Sequence, residues 1–204
     1  VKLLGNAISF AVTRSASWLL SNICRVPEPS FKEIENIIPV LCFYFANLKD
    51  DEILQNVAWT LSYISSTEEG IDEILCYDVT RRRLVALLED SPPTHCLPYL
   101  RTIGNIISGS EKQAAQMLKE KKLFPTLLKL LDFENKQMKK EILLLLSNIT
   151  IGSPAQSEKI MGNPAFVEKI LNAVKHNDPE IKKEAIHVLL NSTVDGTPEQ
   201  MMRP

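Results

Sequence analysis

The chain has 204 residues, of which 45% are hydrophobic and 24% charged, and its formal net charge is −2. That length buries a real core, and the near-neutral charge supplies no global attraction to nucleic acid or to an anionic membrane. Glycine is scarce, at 7, and aromatics make up 6%, a composition that favours helix over sheet. In the second half the longest strictly apolar run is Ile142 to Leu146, far short of the roughly 20 residues of a bilayer span. Val1 opens the chain without the basic start and apolar run of a signal peptide, and the missing initiator methionine is expected of a fragment or a processed start. The cysteines Cys24, Cys42, Cys76 and Cys96 form no C-x-x-C pair. All four sit in apolar helical contexts and are expected to be free, small hydrophobes in a reducing compartment.

In chain order, Ser17-Trp18-Leu19-Leu20-Ser21-Asn22 is the first helical segment, followed by joints at Pro27 and Pro29. Lys49-Asp50-Asp51-Glu52 starts a helix that runs through Trp59 and Tyr63, with its acidic start favourable against the helix dipole. Ile71, Ile74 and Leu75 mark a short helix; Leu84, Val85, Leu87 and Leu88 mark the next. After Pro92 and Pro93 comes Leu100-Arg101-Thr102-Ile103-Gly104-Asn105. Gln113 to Leu118, then Leu127, Leu128, Leu130 and Leu131, then Leu143-Leu144-Leu145-Leu146-Ser147-Asn148 repeat the order short, middle, last. Pro154 and Pro164 punctuate the following joints. Asn177-Asp178-Pro179-Glu180 predicts a helix start with Asp178 as N-cap and Pro179 at the first helical position, leading to Ile186-His187-Val188-Leu189-Leu190-Asn191.

The last residues of the five signature segments are Asn22, Tyr63, Asn105, Asn148 and Asn191, spaced 41, 42, 43 and 43 apart. That period belongs to armadillo or HEAT repeats, and three helices per unit select armadillo. The expected fold is all-α: one armadillo-repeat domain over 1–204, a right-handed superhelical solenoid of about four to five repeats whose stacked units share a core and line a concave groove. Leu4-Gly5-Asn6 resembles a further signature placed too close to Asn22, so residues 1–17 are expected to be an irregular or truncated repeat.

Trp18 and Asn22, Trp59 and Tyr63, and Arg101 and Asn105 are each four apart, so each pair lies on one helix face and the repeat lays the pairs along one surface. A tryptophan at this spacing also fits core packing. Asparagine recurring mid-helix does not, because it forms helix poorly and is costly to bury without partners. An Asn amide both donates to and accepts from an extended peptide backbone. A Trp face accepts the stem of Lys or Arg with cation–π attraction to its tip.

Trp18 to Arg25 with Pro27 and Pro29, then Trp59 to Tyr63, Leu100 to Gly109, Lys140-Glu141 with Ser147 to Gly152, and Lys183-Glu184-Ala185 to Asn191 with Gly196-Thr197 and Glu199-Gln200, together resemble the importin-α (karyopherin-α) family. One repeat with Tyr for Asn, followed by one with Arg for Trp, is the family's order, and the resemblance covers residues 15–200. It implies a non-enzymatic nuclear-import adaptor of cytoplasm and nucleus, whose cargo proteins carry Lys/Arg-rich localisation signals. This chain would hold the fourth to eighth repeats. Trp18 and Asn22 would then fall at the edge of the family's major signal site, and Trp59 and Tyr63 between the sites. Arg101, Asn105, Glu141, Ser147, Asn148, Glu184 and Asn191 would match the minor site, where the arginine organises the two glutamates that receive cargo. The segment that binds importin-β is absent, so that partner is expected only if such a segment exists outside this chain.

Leu144 and His187 stand where the family has tryptophan, and Asn56 where it has Asp. At roughly 0.5–2 kcal/mol per cation–π contact, two lost walls weaken binding about ten-fold to a thousand-fold. The second class of function is therefore an armadillo scaffold that has lost signal binding and holds another partner. Gly104-x-x-x-x-Gly109 is followed by Ser110-Glu111 and is no phosphate loop. His95, His176 and His187 have no metal-ligand spacing with the cysteines, and neighbouring His95 and Cys96 diverge on a helix, so no metal, cofactor, catalytic residue or nucleic-acid stripe is expected. The basic runs Arg81-Arg82-Arg83 and Lys119-Glu120-Lys121-Lys122 are expected to be solvated surface, or else a contact for an acidic partner.

Overall fold

A computed structural model describes residues 10–25 and 29–194. The Leu4-Gly5-Asn6 motif, Pro27, Gly196-Thr197 and Glu199-Gln200 lie outside the described residues. The chain forms two compact units, residues 1–120 and 121–204. The described residues contain helices and no strand, and none of those helices is long and apolar enough to cross a membrane.

The first unit contains α1 (Phe10–Ile23), α2 (Phe31–Ile34), α3 (Ile38–Asn47), α4 (Asp51–Ile64), α5 (Glu68–Leu75), α6 (Asp78–Asp90), α7 (Cys96–Ser108) and α8 (Glu111–Met117). The second contains α9 (Leu123–Leu130), α10 (Lys136–Ile151), α11 (Pro154–Met161), α12 (Pro164–Val174) and α13 (Pro179–Val194). Short, middle and last helices recur in that order, so the signature segments are the last helices α1, α4, α7, α10 and α13. In the repeat that ends with α4, the short helix runs through a 3-10 turn at Glu35–Ile37 directly into α3, where Pro39 occupies the first turn and forfeits no helical hydrogen bond.

Local chemistry fixes the helix starts. Asp50 accepts from the Ile53 N–H at 3.1 Å, and Asn135 accepts from that of Met138 at 3.0 Å. Ser110 and Gln113 form a capping box. Asp178 accepts from the Glu180 N–H at 3.0 Å with Pro179 as the first helical residue, as its sequence predicts. Each such cap is worth about 1 kcal/mol.

The last helices of successive repeats pack side by side: α1 on α4 and α4 on α7 in the first unit, α10 on α13 in the second. The first core contains Ile38, Leu41, Phe45, Leu61, Leu84 and Ile103, and the second Leu143, Leu146, Phe166, Ile170 and Val188, all essentially buried. Burying each such side chain contributes about 1.5–3 kcal/mol.

Gly70 sits in the first turn of α5 against the end of α4. A Cβ there would lie 2.0 Å from the Ile64 carbonyl oxygen, which is backbone and cannot swing away. Gly70→Ala is expected to destabilise the first unit by about 3 kcal/mol, measured as a shift in the urea midpoint of the 222 nm signal. A loss below about 0.5 kcal/mol, the scale of an ordinary surface change, would refute the close approach of these helices.

The cysteines divide. All four are free thiols, but Cys76 is exposed at the end of α5, against the expectation that all four sit in apolar helical contexts. The end of this short helix turns Cys76 out, whereas burial of Cys24, Cys42 and Cys96 pushes each thiol up to about 11. Their folded-state values lie above the ordinary 9.0, so the stability tied to these protonated thiols is intact below pH 9 and falls as pH rises through about 11. Cys76 alone of the four is expected to react with a thiol-disulfide reagent at once in the native protein, the others only in denaturant. Two or more fast thiols would contradict the burial.

The Arg81-Arg82-Arg83 run is not uniformly solvated. Arg81 is half-buried and pairs with Glu120 at 2.8 Å and Asp78 at 3.2 Å, and Arg83 donates to the Leu48 carbonyl at 3.4 Å. These arginines tie successive repeats together; Arg82 is exposed.

Candidate functional site

Asn22, Tyr63 and Asn105 in the first unit, and Asn148 and Asn191 in the second, each lie one turn beyond the position held in turn by Trp18, Trp59, Arg101, Leu144 and His187. Each unit therefore presents its own stretch of a repeated face.

In the first unit, Trp18 is 59% exposed and Asn22 half-buried. One repeat on, the Trp59 and Tyr63 rings stack at 6.0 Å between centroids with planes 25° apart. The Arg101 guanidinium from α7 lies over the Trp59 ring, 5.3 Å from its centroid. The protein thus places its own cation on this aromatic face, an attraction of about 0.5–2 kcal/mol. Asn56 donates to Ser17 Oγ at 3.2 Å and joins α4 to α1.

Asn22, Asn105 and Asn191 use their amide donors internally. Asn22 Nδ2 donates to the Trp18 carbonyl at 2.9 Å. Asn105 Nδ2 donates to the Ser62 carbonyl and to Ser65 Oγ, both at 3.0 Å. In the second unit Asn191 Nδ2 donates to Ser147 Oγ at 2.8 Å and to the Ser147 carbonyl at 3.4 Å. Asn105 and Asn191 thus stitch one repeat's last helix to the preceding one. For a ligand they offer the amide oxygen. Ser147 is itself buried and acts as the acceptor of this stitch. Serine precedes three of the five signature residues, at Ser21, Ser62 and Ser147, and two of these, Ser62 and Ser147, accept from the asparagine one repeat on; the partners Ser62 and Ser65 are what a reading of the asparagines alone misses.

In the second unit, Glu141 and Asn148 are half-buried on α10, with Leu144 between them and 40% exposed. Glu184 on α13 is only 6% exposed, and its Oε2 is buried without a hydrogen-bond donor. His187 Nδ1 lies 3.5 Å from that oxygen. Lys136 pairs with Asp178 at 3.2 Å and Lys140 with Glu180 at 2.7 Å, laying two ion pairs between α10 and α13. The Lys140 ammonium holds the Glu180 carboxyl below the usual range, and Lys136 does the same for Asp178. Of the carboxylates on this face, Glu184 combines deep burial with an oxygen left without a donor. Among the described residues no group of three or more His, Cys, Asp or Glu side chains is placed to hold a metal.

No family model matches the chain. It is 37% identical over 133 residues to importin subunit alpha-3 of Arabidopsis thaliana, covering 64% of this chain and 25% of that protein. It is 36% identical over 141 residues to importin subunit alpha-1a of Oryza sativa subsp. japonica, covering 68% and 26%. The chain therefore spans about a quarter of the length of these relatives. Among solved structures, a designed armadillo repeat protein in complex with the peptide (KR)4 superposes with a TM-score of 0.81 at 23% identity, covering 94% of this chain and 80% of that one. Computationally designed armadillo repeat proteins for modular peptide recognition superpose with a TM-score of 0.81 at 21% identity, covering 96% and 81%. The fold is that of an armadillo-repeat protein, and the chain belongs to the importin-α family, a family of binding proteins and not of enzymes.

Proposed function

We propose that this chain is the signal-binding part of a nuclear-import adaptor, which takes basic localisation-signal peptides of cargo proteins on the faces that the last helices make within each unit. The observation that carries this reading is Arg101 on the Trp59–Tyr63 stack: the face is chemically fit for a cation, and a guanidinium already lies there at 5.3 Å. Trp18 offers a second, exposed aromatic wall, with the Asn22 amide one turn away. Asn105 and Asn191 offer amide oxygens to a peptide backbone, and Glu141 and Glu184 supply negative charge in the second unit. The importin-α relatives and the designed neighbour holding a (KR)4 peptide support the same class of ligand. Such an adaptor works in cytoplasm and nucleus, and a further transport receptor such as importin-β would require a segment outside these 204 residues.

A second reading is a scaffold that holds a different partner. Leu144 and His187 favour it, because they replace the aromatic wall in both last helices of the second unit.

The test is a fluorescence-anisotropy titration of the chain with a labelled lysine-rich signal peptide, beside the same peptide with its lysines changed to alanine. Lysine-dependent binding that weakens in Trp18→Ala and in Glu141→Lys supports the adaptor. A folded, helical sample that binds both peptides equally, or neither, refutes it and favours the scaffold.

A further inference from the structure

Glu184 and His187 are one turn apart on α13 and in contact through Oε2 and Nδ1 at 3.5 Å. Glu184 is more than nine-tenths buried, and a buried carboxylate oxygen without a donor is unfavourable until something donates to it. Two kinds of donor satisfy it. One is internal: a protonated imidazole donates from both ring nitrogens, whereas a neutral one keeps one nitrogen as an acceptor. The other is an ammonium or guanidinium brought by a ligand. The His187 side chain is 44% exposed and so is able to swing aside. It also stands at the repeat position of Trp18 and Trp59, where the other unit presents an aromatic face to a cation.

We propose that Glu184 and His187 form a proton-competitive seat for one basic side chain: neutral His187 yields Glu184 to the incoming cation, and protonated His187 keeps it and repels that cation. The proposal rests on the reading of this face as a site for basic peptides and adds its regulation.

The surrounding charges leave imidazole as the group that switches. From α10 come Lys140, committed to Glu180 at 2.7 Å, and Glu141; the fields of Glu141 and Glu184 add to that of Glu180 in raising the Lys140 ammonium. On α13 itself Lys183 lies near Glu180. α12 also packs on α13, but its Glu168 is exposed and its Lys169 is bound to Asp132. In the turn before α13, His176 Nδ1 accepts from the Asp178 N–H at 2.9 Å. Asp178 and Glu180, held below the ordinary carboxylate range, stay charged between about pH 5.5 and 7.5, and imidazoles change charge there.

The experiment measures anisotropy with the lysine-rich peptide at steps between about pH 5.5 and 7.5, on the chain and on His187→Gln and Glu184→Gln, with NMR of the histidine ring protons in parallel. The Kd is expected to rise roughly five- to tenfold on going to the acid end, because one proton and one cation exclude each other. His187→Gln is expected to bind with no such dependence. The His187 ring signal, assigned by its loss in His187→Gln, is expected to move towards the neutral form when peptide is added at pH 6.5, and to lose that response in Glu184→Gln. Lysine-dependent binding that ignores pH, or keeps the same pH dependence in His187→Gln, overturns this proposal and leaves the peptide reading standing. No lysine-dependent binding at any pH overturns both.

Discussion

Phe45→Ala is expected to destabilise the first unit by about 3–5 kcal/mol, whereas Phe43→Ala, two residues away on the same helix, is expected to cost less than about 0.5 kcal/mol. Phe45 is completely buried, and Phe43 is 64% exposed. On α3, Phe45 reaches the Tyr99 ring of α7, 6.1 Å between centroids at a tilt of 59°. It therefore joins the middle helix of one repeat to the last helix of the next, with its side chain fully buried. Tyr99 is 1% exposed, and its hydroxyl accepts from Gln55 Nε2 at 3.0 Å, which fixes the ring against which Phe45 packs. Phe45→Leu conserves most of the volume and is expected to cost below about 1.5 kcal/mol. Urea unfolding followed by circular dichroism reads all three. Because repeat proteins unfold by neighbouring units, the loss is expected in the transition assigned to residues 1–120. Equal losses in Phe43→Ala and Phe45→Ala would mean that α3 is rotated about its axis from the orientation described.

That pair of phenylalanines also shows where sequence reasoning stops. The 41 to 43 residue period and the starts at Asp50 and Asp178 are legible because they are local: a spacing along one helix, or a side chain reaching two or three residues onward. The armadillo fold and the five last helices follow from those signals alone. What a helix meets on its other faces depends on its rotation against neighbours about 40 residues away, and single-sequence periodicity carries that only coarsely. Arg81 reads as part of a solvated basic run until Glu120, 39 positions on, is placed beside it. Cys76 reads as one more apolar-context thiol until α5 ends and turns it outward. In the sequence the asparagines read as ligands for a peptide. The Nδ2 groups of Asn105 and Asn191 serve the repeat stack because serines of the preceding repeat come within 3.0 Å, a distance no spacing predicts. The same gap hides the Glu184–His187 contact. Each residue is visible in the sequence, but that Glu184 is buried and lacks a donor is a property of packing against α10.

Restoring the missing walls is expected to have the largest effect on binding. In Leu144→Trp/His187→Trp, the affinity for a lysine-rich peptide is expected to rise about five-fold to several hundred-fold, since two cation–π contacts of roughly 0.5–2 kcal/mol each are added. Space is available at both positions: Leu144 is 40% exposed and the His187 side chain 44%. The gain has a chemical signature. Tryptophan at 187 carries no titratable proton, so Glu184 loses its internal competitor, and the double variant is expected to bind equally well at about pH 5.5 and 7.5, where the parent chain weakens in acid. The single changes separate the contributions. Leu144→Trp is expected to strengthen binding and keep the pH dependence, and His187→Trp to strengthen binding and lose it. Peptides with lysines changed to alanine, titrated by anisotropy against all four chains, control for plain stickiness of the added rings. A gain that persists with the alanine peptide would assign it to burial of apolar surface, and no gain with either peptide would mean that the second unit's face holds a partner other than a basic peptide.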